Sequence, residues 1–105
     1  MPDQAPDLAF RALANSHRRQ LLLALLERNP QAEVSVSDEI RLDQSEEEEL
    51  RSKLYHTHLP RLEQHGYIEW DRKTRTVRKG PNFEEIRPLL ELLDRNRAEL
   101  PDGWV

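Results

Sequence analysis

The 105-residue chain contains no cysteine. That excludes a disulfide framework and any thiolate metal site, and it leaves the redox compartment open. Glycine is scarce, at 3 residues, and there is no glycine-rich phosphate loop, nucleophile elbow or HExxH pattern. The longest apolar run, Leu21 to Leu26, is far too short to span a bilayer. The N-terminus, MPDQAPDLAF, is acidic and lacks the apolar stretch of a signal peptide. A soluble, cytoplasmic protein is therefore expected. Hydrophobic residues make up only 36 % of the chain and charged residues 34 %, so the core is small. No substrate pocket, cofactor or enzymatic activity is expected of it. A chain of this size with a thin core often gains further burial from a partner subunit.

The net charge of −4 argues at first against a nucleic-acid partner. Its distribution argues the other way. Residues 1–50 hold 5 basic and 11 acidic side chains, and residues 80–105 hold 3 and 6. Residues 51–79 hold 8 basic side chains against 3 acidic ones. Phosphate binding needs such a concentration, although a window of that length can also be basic by chance. Arginine outnumbers lysine 13 to 3 on an otherwise acidic background, a composition resembling proteins of salt-loving archaea. High salt would itself weaken counterion-driven phosphate contacts.

The chain is organised around Ser45 to Gly66, SEEEELRSKLYHTHLPRLEQHG. Ser45 with Glu48 forms a capping-box pattern, and Gly66 stands where a helix needs a left-handed residue after its end. At roughly 100° per residue, Leu50, Leu54, Tyr55, His58, Leu59 and Leu62 share one arc. Ser52, Lys53, His56, Thr57, Pro60 and Gln64 fall opposite. Pro60 cannot donate to the carbonyl of His56, so the helix should either kink there or stop and restart with Pro60 in its first turn. After Gly66, Tyr67, Ile68, Trp70 and Val77 carry β-propensity around the basic turn Asp71 to Arg75. A helix, a glycine turn and a hairpin with a basic tip are the order of a winged helix-turn-helix. The fold expected is mostly α with a small β-hairpin wing, in a single domain.

The remaining segments fit that frame. Residues 1–6 read as a flexible tail, 7–80 as the winged helix-turn-helix domain, and 81–105 as a C-terminal helix and tail. Asp7 is placed to cap a first helix and Asn15 or Ser16 a second, which ends before Asn29-Pro30. His17, Arg18 and Arg19 oppose the dipole of that second helix, a small cost unless they serve another purpose. Val34 to Val36 is a short strand, Ser37 to Ile40 the first helix of the helix-turn-helix, and Arg41 to Gln44 its turn. Asn82 caps the last helix, within which Pro88 falls. Its stripe includes Phe83, Ile86, Leu90 and Leu93. With Leu8 it is read as a dimerisation element, the alternative being that it only closes the monomer core.

Several of these residues carry a family resemblance. Asn15-Ser16-His17-Arg18-Arg19 stands as an Asn-x-x-Arg-Arg element. Tyr55-His56-Thr57-His58-Leu59-Pro60-x-Leu62 follows, and Gly66 precedes Ile68-Glu69-Trp70-Asp71. Over about residues 7–80 the sequence resembles a haloarchaeal family of small winged-helix domains of unassigned function, marked by the HTHLP run. It resembles ArsR-type and MarR-type regulators more distantly. The resemblance implies a DNA-binding or regulatory role.

Four histidines raise the question of a metal. His56 and His58 point to different faces, His58 and His65 lie two turns apart, and no cysteine or convergent carboxylate completes a set. No metal site is expected, and His58 reads as a hydrogen-bonded core residue. Two functions remain. In the first, a dimeric transcriptional regulator binds double-stranded DNA. Its recognition helix, about residues 45–65, presents Ser52, Lys53, His56, Thr57 and Arg61, and Arg72, Lys73 and Arg75 of the wing with Arg78 hold the backbone or minor groove. In the second, the same face docks a protein partner, with its glutamates Glu46 to Glu49 taking part. Those glutamates suit a helix N-terminus but not an approach to phosphate.

Overall fold

The computed structural model describes residues 4–28, 32–36 and 47–101. Helices α1 (Gln4–Ala12) and α2 (Ser16–Leu26) come first, then strand β1 (Val34–Ser35). Helix α3 (Glu47–Lys53), a π-helical turn (Leu54–His58) and helix α4 (Leu59–Gln64) follow. Strands β2 (Ile68–Asp71) and β3 (Thr76–Lys79) form the hairpin, and helix α5 (Phe83–Arg95) with a short 3-10 turn (Arg97–Glu99) ends the chain. The expected helix at Ser37 to Ile40, the turn at Arg41 to Gln44 and the cap at Ser45 lie outside the described residues.

Helix α1 starts at Gln4, so it reaches into the stretch read as a tail, and Asp7 stands in its first turn rather than at its cap. There its charge still complements the positive end of the helix. Asn15 caps α2. Its Oδ1 accepts from the amides of His17 at 2.9 Å and Arg18 at 3.2 Å, a contribution of typically ~1 kcal/mol. The arginines at the start of α2 serve the end of α1. Arg18 Nη1 donates to the carbonyl of Arg11 at 2.9 Å and Arg19 Nη1 to that of Leu13 at 2.7 Å. The carbonyls that terminate a helix find no partner within it, so these bonds offset the unfavourable placement of the two cations. Leu21, Leu22, Leu23 and Leu25 are all buried, which makes α2 the central helix, packed against α5.

The sheet is antiparallel in the order β1-β3-β2. Val34 pairs with Val77, and Val77 with Trp70. Val34, Ile68 and Val77 point inward and are buried, while Glu69 and Arg78 point outward, the alternation a half-buried sheet requires. No helix among the described residues is long and apolar enough to cross a membrane.

Pro60 follows the second of its two expected courses: one helical segment ends at His58 and the next begins at Leu59. Backbone angles stay helical at Lys53, His58 and Leu59. The turn before the proline widens, and the Leu59 amide bonds the carbonyl of Leu54 five residues back. A proline ring crowds the preceding turn and supplies no N–H, and a π turn accommodates both defects. Pro60 then sits in the first turn of α4.

The end of α4 is a Schellman motif. Gly66 adopts φ 80°, its amide bonds Glu63 O at 3.0 Å, and Tyr67 N bonds Leu62 O at 3.0 Å. Asn82, expected to cap α5, makes no side-chain cap. Its Nδ2 donates instead to the carbonyl of His65 at 3.0 Å, and its amide to Gly66 O at 2.8 Å. The start of α5 is thus tied to the end of α4. Pro88 stands on the exposed face of α5, so the carbonyl it leaves without an N–H lies toward solvent.

Candidate nucleic-acid interface

The helix from Glu47 to Gln64 divides by face largely as its periodicity predicts, with two departures: Pro60, expected to face outward, is half-buried, and Arg61, which at roughly 100° per residue falls within the apolar arc, is exposed. Leu54, His58, Leu59 and Leu62 are buried and Tyr55 is half-buried, while Ser52, Lys53, His56, Thr57 and Arg61 are exposed. Ser52 and Thr57 can donate to or accept from a base edge, His56 can donate in either charge state, and Lys53 and Arg61 only donate. Lys53 lies 3.9 Å from Glu49, a loose pair between two exposed side chains that contributes little.

His58 anchors the inner face. It is 8 % exposed, and its Nδ1 accepts from Arg18 Nε at 2.9 Å. An imidazole that accepts at Nδ1 from a guanidinium is neutral. Burial, then Arg18, His17, Arg61 and Lys53, hold its pKa below the ordinary histidine value. Arg18 is also lowered, by burial and then by Arg61. The Asn-x-x-Arg-Arg element of α2 and the HTHLP run at residues 56–60 therefore meet at this bond.

The wing is shaped by Asp71. Its Oδ1 accepts from the amides of Lys73 at 2.9 Å and Thr74 at 3.3 Å, which holds the carboxyl below its usual range. Arg75 takes the left-handed conformation at φ 57° that returns the chain to β3. A stack then joins wing to helix: the Tyr55 and Trp70 rings lie 5.8 Å apart, and the Arg72 guanidinium lies 4.2 Å from the Trp70 centroid. Glu63 closes the stack. It accepts from the Trp70 amide at 3.3 Å and pairs with Arg72 at 3.4 Å. Across the strands Arg78 pairs with Glu69 at 2.7 Å.

The cations among the nine residues expected to bind DNA differ in their surroundings. Arg72 and Arg78 are engaged by carboxylates of the chain itself. Lys73 and Arg75 at the tip, and Arg61 on the helix, are exposed and form no salt bridge among the described residues. Sequence reasoning misses the clamp by Glu63, because a count of charges by segment does not say which cation meets which carboxylate. Beside the wing an open depression of about 640 Å³ is lined by both signs, with Glu33, Glu63, Glu69 and Asp71 near Arg72, Lys73 and Arg78. Among the described residues no cluster could hold a metal ion.

The expected dimerisation set needs correction. Phe83, Ile86 and Leu90 are 1 %, 0 % and 0 % exposed in the single chain. They close its own core and are not available to a second copy. Leu8 and Leu93 are half-buried. The large apolar side chains left exposed on the packed helices α1 and α5 are Phe10, at 63 %, and Leu92, at 52 %. Sequence periodicity could not separate these from the inward stripe, because both belong to short amphipathic helices.

Helical bundle, three-stranded antiparallel sheet and hairpin wing together define a winged helix-turn-helix protein. By its sequence the chain belongs to the family described as domain of unknown function DUF7344, whose model matches residues 10–78. Among solved structures it is similar to HlyU from Vibrio cholerae N16961, with a TM-score of 0.60 and 24 % identity over 92 % of this chain and 96 % of that one. That likeness concerns the fold. No curated protein matches the sequence.

Proposed function

We propose that the protein is a homodimeric transcriptional regulator that binds double-stranded DNA in the cytoplasm. The observation that carries this reading is the pairing of two exposed surfaces. The outer face of the helix offers Ser52, Lys53, His56 and Thr57, and the wing tip offers Lys73 and Arg75, which form no salt bridge among the described residues. In a winged helix the first surface enters the major groove while the second reaches the backbone or minor groove. His56 and Thr57 read base edges; Lys53, Arg61, Lys73 and Arg75 hold phosphates. The protein acts by binding and not by catalysis. Its 13 arginines to 3 lysines on an acidic background suit a salt-loving archaeal cell. The second copy docks through Phe10 and Leu92, the exposed apolar side chains of α1 and α5.

The ion pairs of Arg72 with Glu63 and Arg78 with Glu69 favour a second reading. A wing whose arginines are already neutralised also fits a module that docks a protein. Salt titration separates the two. DNA binding by Lys73 and Arg75 requires that Lys73→Gln with Arg75→Gln flatten the slope of log affinity against log salt by about 1.8, about 0.9 for each phosphate no longer neutralised. An unchanged slope removes the wing tip from the DNA-binding model.

A further inference from the structure

A second basic site lies on the other side of the recognition helix from the wing. A cavity of about 250 Å³ opens between α1, α2 and α4, and its lining includes Arg11, Arg18, Arg61, Gln64 and His65. No carboxylate is among the side chains that line it. This is unusual for so acidic a chain. Arg72, Arg78, Arg87 and Arg97 are each matched to a glutamate or aspartate. Arg11, Arg18 and Arg61 have no such partner among the described residues.

The cavity is also built rather than incidental. Arg18 is half-buried and fixed at two points, through Nε to His58 Nδ1 at 2.9 Å and through Nη1 to the Arg11 carbonyl at 2.9 Å. A guanidinium has five N–H donors, so about three remain for a ligand. His58 supports this arrangement only while it is neutral, and its own surroundings are cationic. Arg18 and Arg61 repel one another across the site. An anion between them would replace repulsion with two attractions in a partly desolvated setting, where charge-assisted bonds are strong.

From this arrangement we infer that the cavity between α1, α2 and α4 binds a ligand through a multiply charged phosphate-type oxyanion, held by Arg11, Arg18 and Arg61. The oxyanion belongs either to a free phosphorylated compound or to the backbone of a nucleic acid. The second source rests on the DNA-binding reading, whereas a free ligand would bind even to a protein that never meets DNA.

The test is calorimetric titration of the full chain with inorganic pyrophosphate at low ionic strength. Saturable binding is expected with one ligand per chain. Arg61→Gln and Arg11→Gln, both at exposed positions, should each weaken it by about tenfold, the effect of losing one hydrogen bond to a charged group. Lys73→Gln with Arg75→Gln should leave it unchanged. Absence of saturable binding at millimolar pyrophosphate, indifference to Arg61→Gln and Arg11→Gln, or equal loss in the wing variant would each overturn the inference. A second titration in the presence of duplex DNA separates the sources. Displacement of pyrophosphate assigns the cavity to a backbone phosphate, and retention assigns it to a free ligand.

Discussion

Replacing His58 with asparagine should abolish one component of the pH dependence of folding. In the native protein Nδ1 accepts from Arg18 at 2.9 Å and the ring is 8 % exposed. Protonation would remove that acceptor, a bond to a charged group of about 1.5–3 kcal/mol. It would also set an imidazolium beside Arg18, Arg61 and Lys53. The folded pKa is therefore lowered, while the unfolded chain titrates near the ordinary value of about 6.5. Stability from this group is complete above that value and is lost as the pH falls from it toward the folded pKa. Within that window one proton is taken up on unfolding, and stability falls by up to about 1.4 kcal/mol per pH unit. Asparagine places its Oδ1 near the position of Nδ1 and accepts the same bond without titrating. Urea denaturation at about pH 7.5 and about pH 5.5, on either side of the ordinary histidine value, measures both proteins. The wild type should lose more stability between the two conditions than His58→Asn. Equal losses would refute the neutral acceptor.

Gly66→Ala places a Cβ 2.6 Å from Asn82 Nδ2 at a backbone φ of +80°, so denaturation should show a cost of about 1–3 kcal/mol. A cost below about 0.5 kcal/mol, the range of ordinary surface changes, would contradict the left-handed cap. Glu63→Gln removes the carboxylate that holds Arg72, so DNA affinity should rise and the salt slope steepen by about 0.9; unchanged affinity would mean that Arg72 does not reach DNA. Phe10→Ser with Leu92→Ser should convert a dimer to a folded monomer in sedimentation, and a monomeric wild type would remove these residues from any interface.

Much of this fold is legible in the sequence because its signals are local. The helix ending at Gly66, the hairpin with its tip, the strand at Val34 and the cap at Asn15 each depend on a few neighbouring residues. What escapes depends on residues distant in sequence. Arg18 and Arg19 stand at the wrong end of a helix dipole, and only the fold shows them closing the last carbonyls of α1. Asn82 has the sequence of a cap, but the carbonyl of His65 competes for its amide. Pro60 points to a kink or a restart, and the fold shows the restart, preceded by a widened turn that no local signal announces.

The functional surface divides the same way. That Ser52, Lys53, His56 and Thr57 of the helix from Glu47 to Gln64 face outward follows from a 3.6-residue period, whereas Arg61, which that period places among the apolar residues, is exposed only in the fold. Which cations of the wing remain available depends on where Glu63 and Glu69 fall across the strands. Residue counts by segment cannot express that. The apolar stripe of α5 carries no mark to distinguish core from interface, and the core takes Phe83, Ile86 and Leu90.

The regulator reading is tested most directly by fluorescence anisotropy of the full chain on its own labelled upstream DNA, against a scrambled competitor at two salt concentrations. Tighter binding to the upstream duplex than to the scrambled one is predicted, with affinity falling steeply as salt rises. A folded protein that binds neither duplex at the lower salt would contradict the regulator reading.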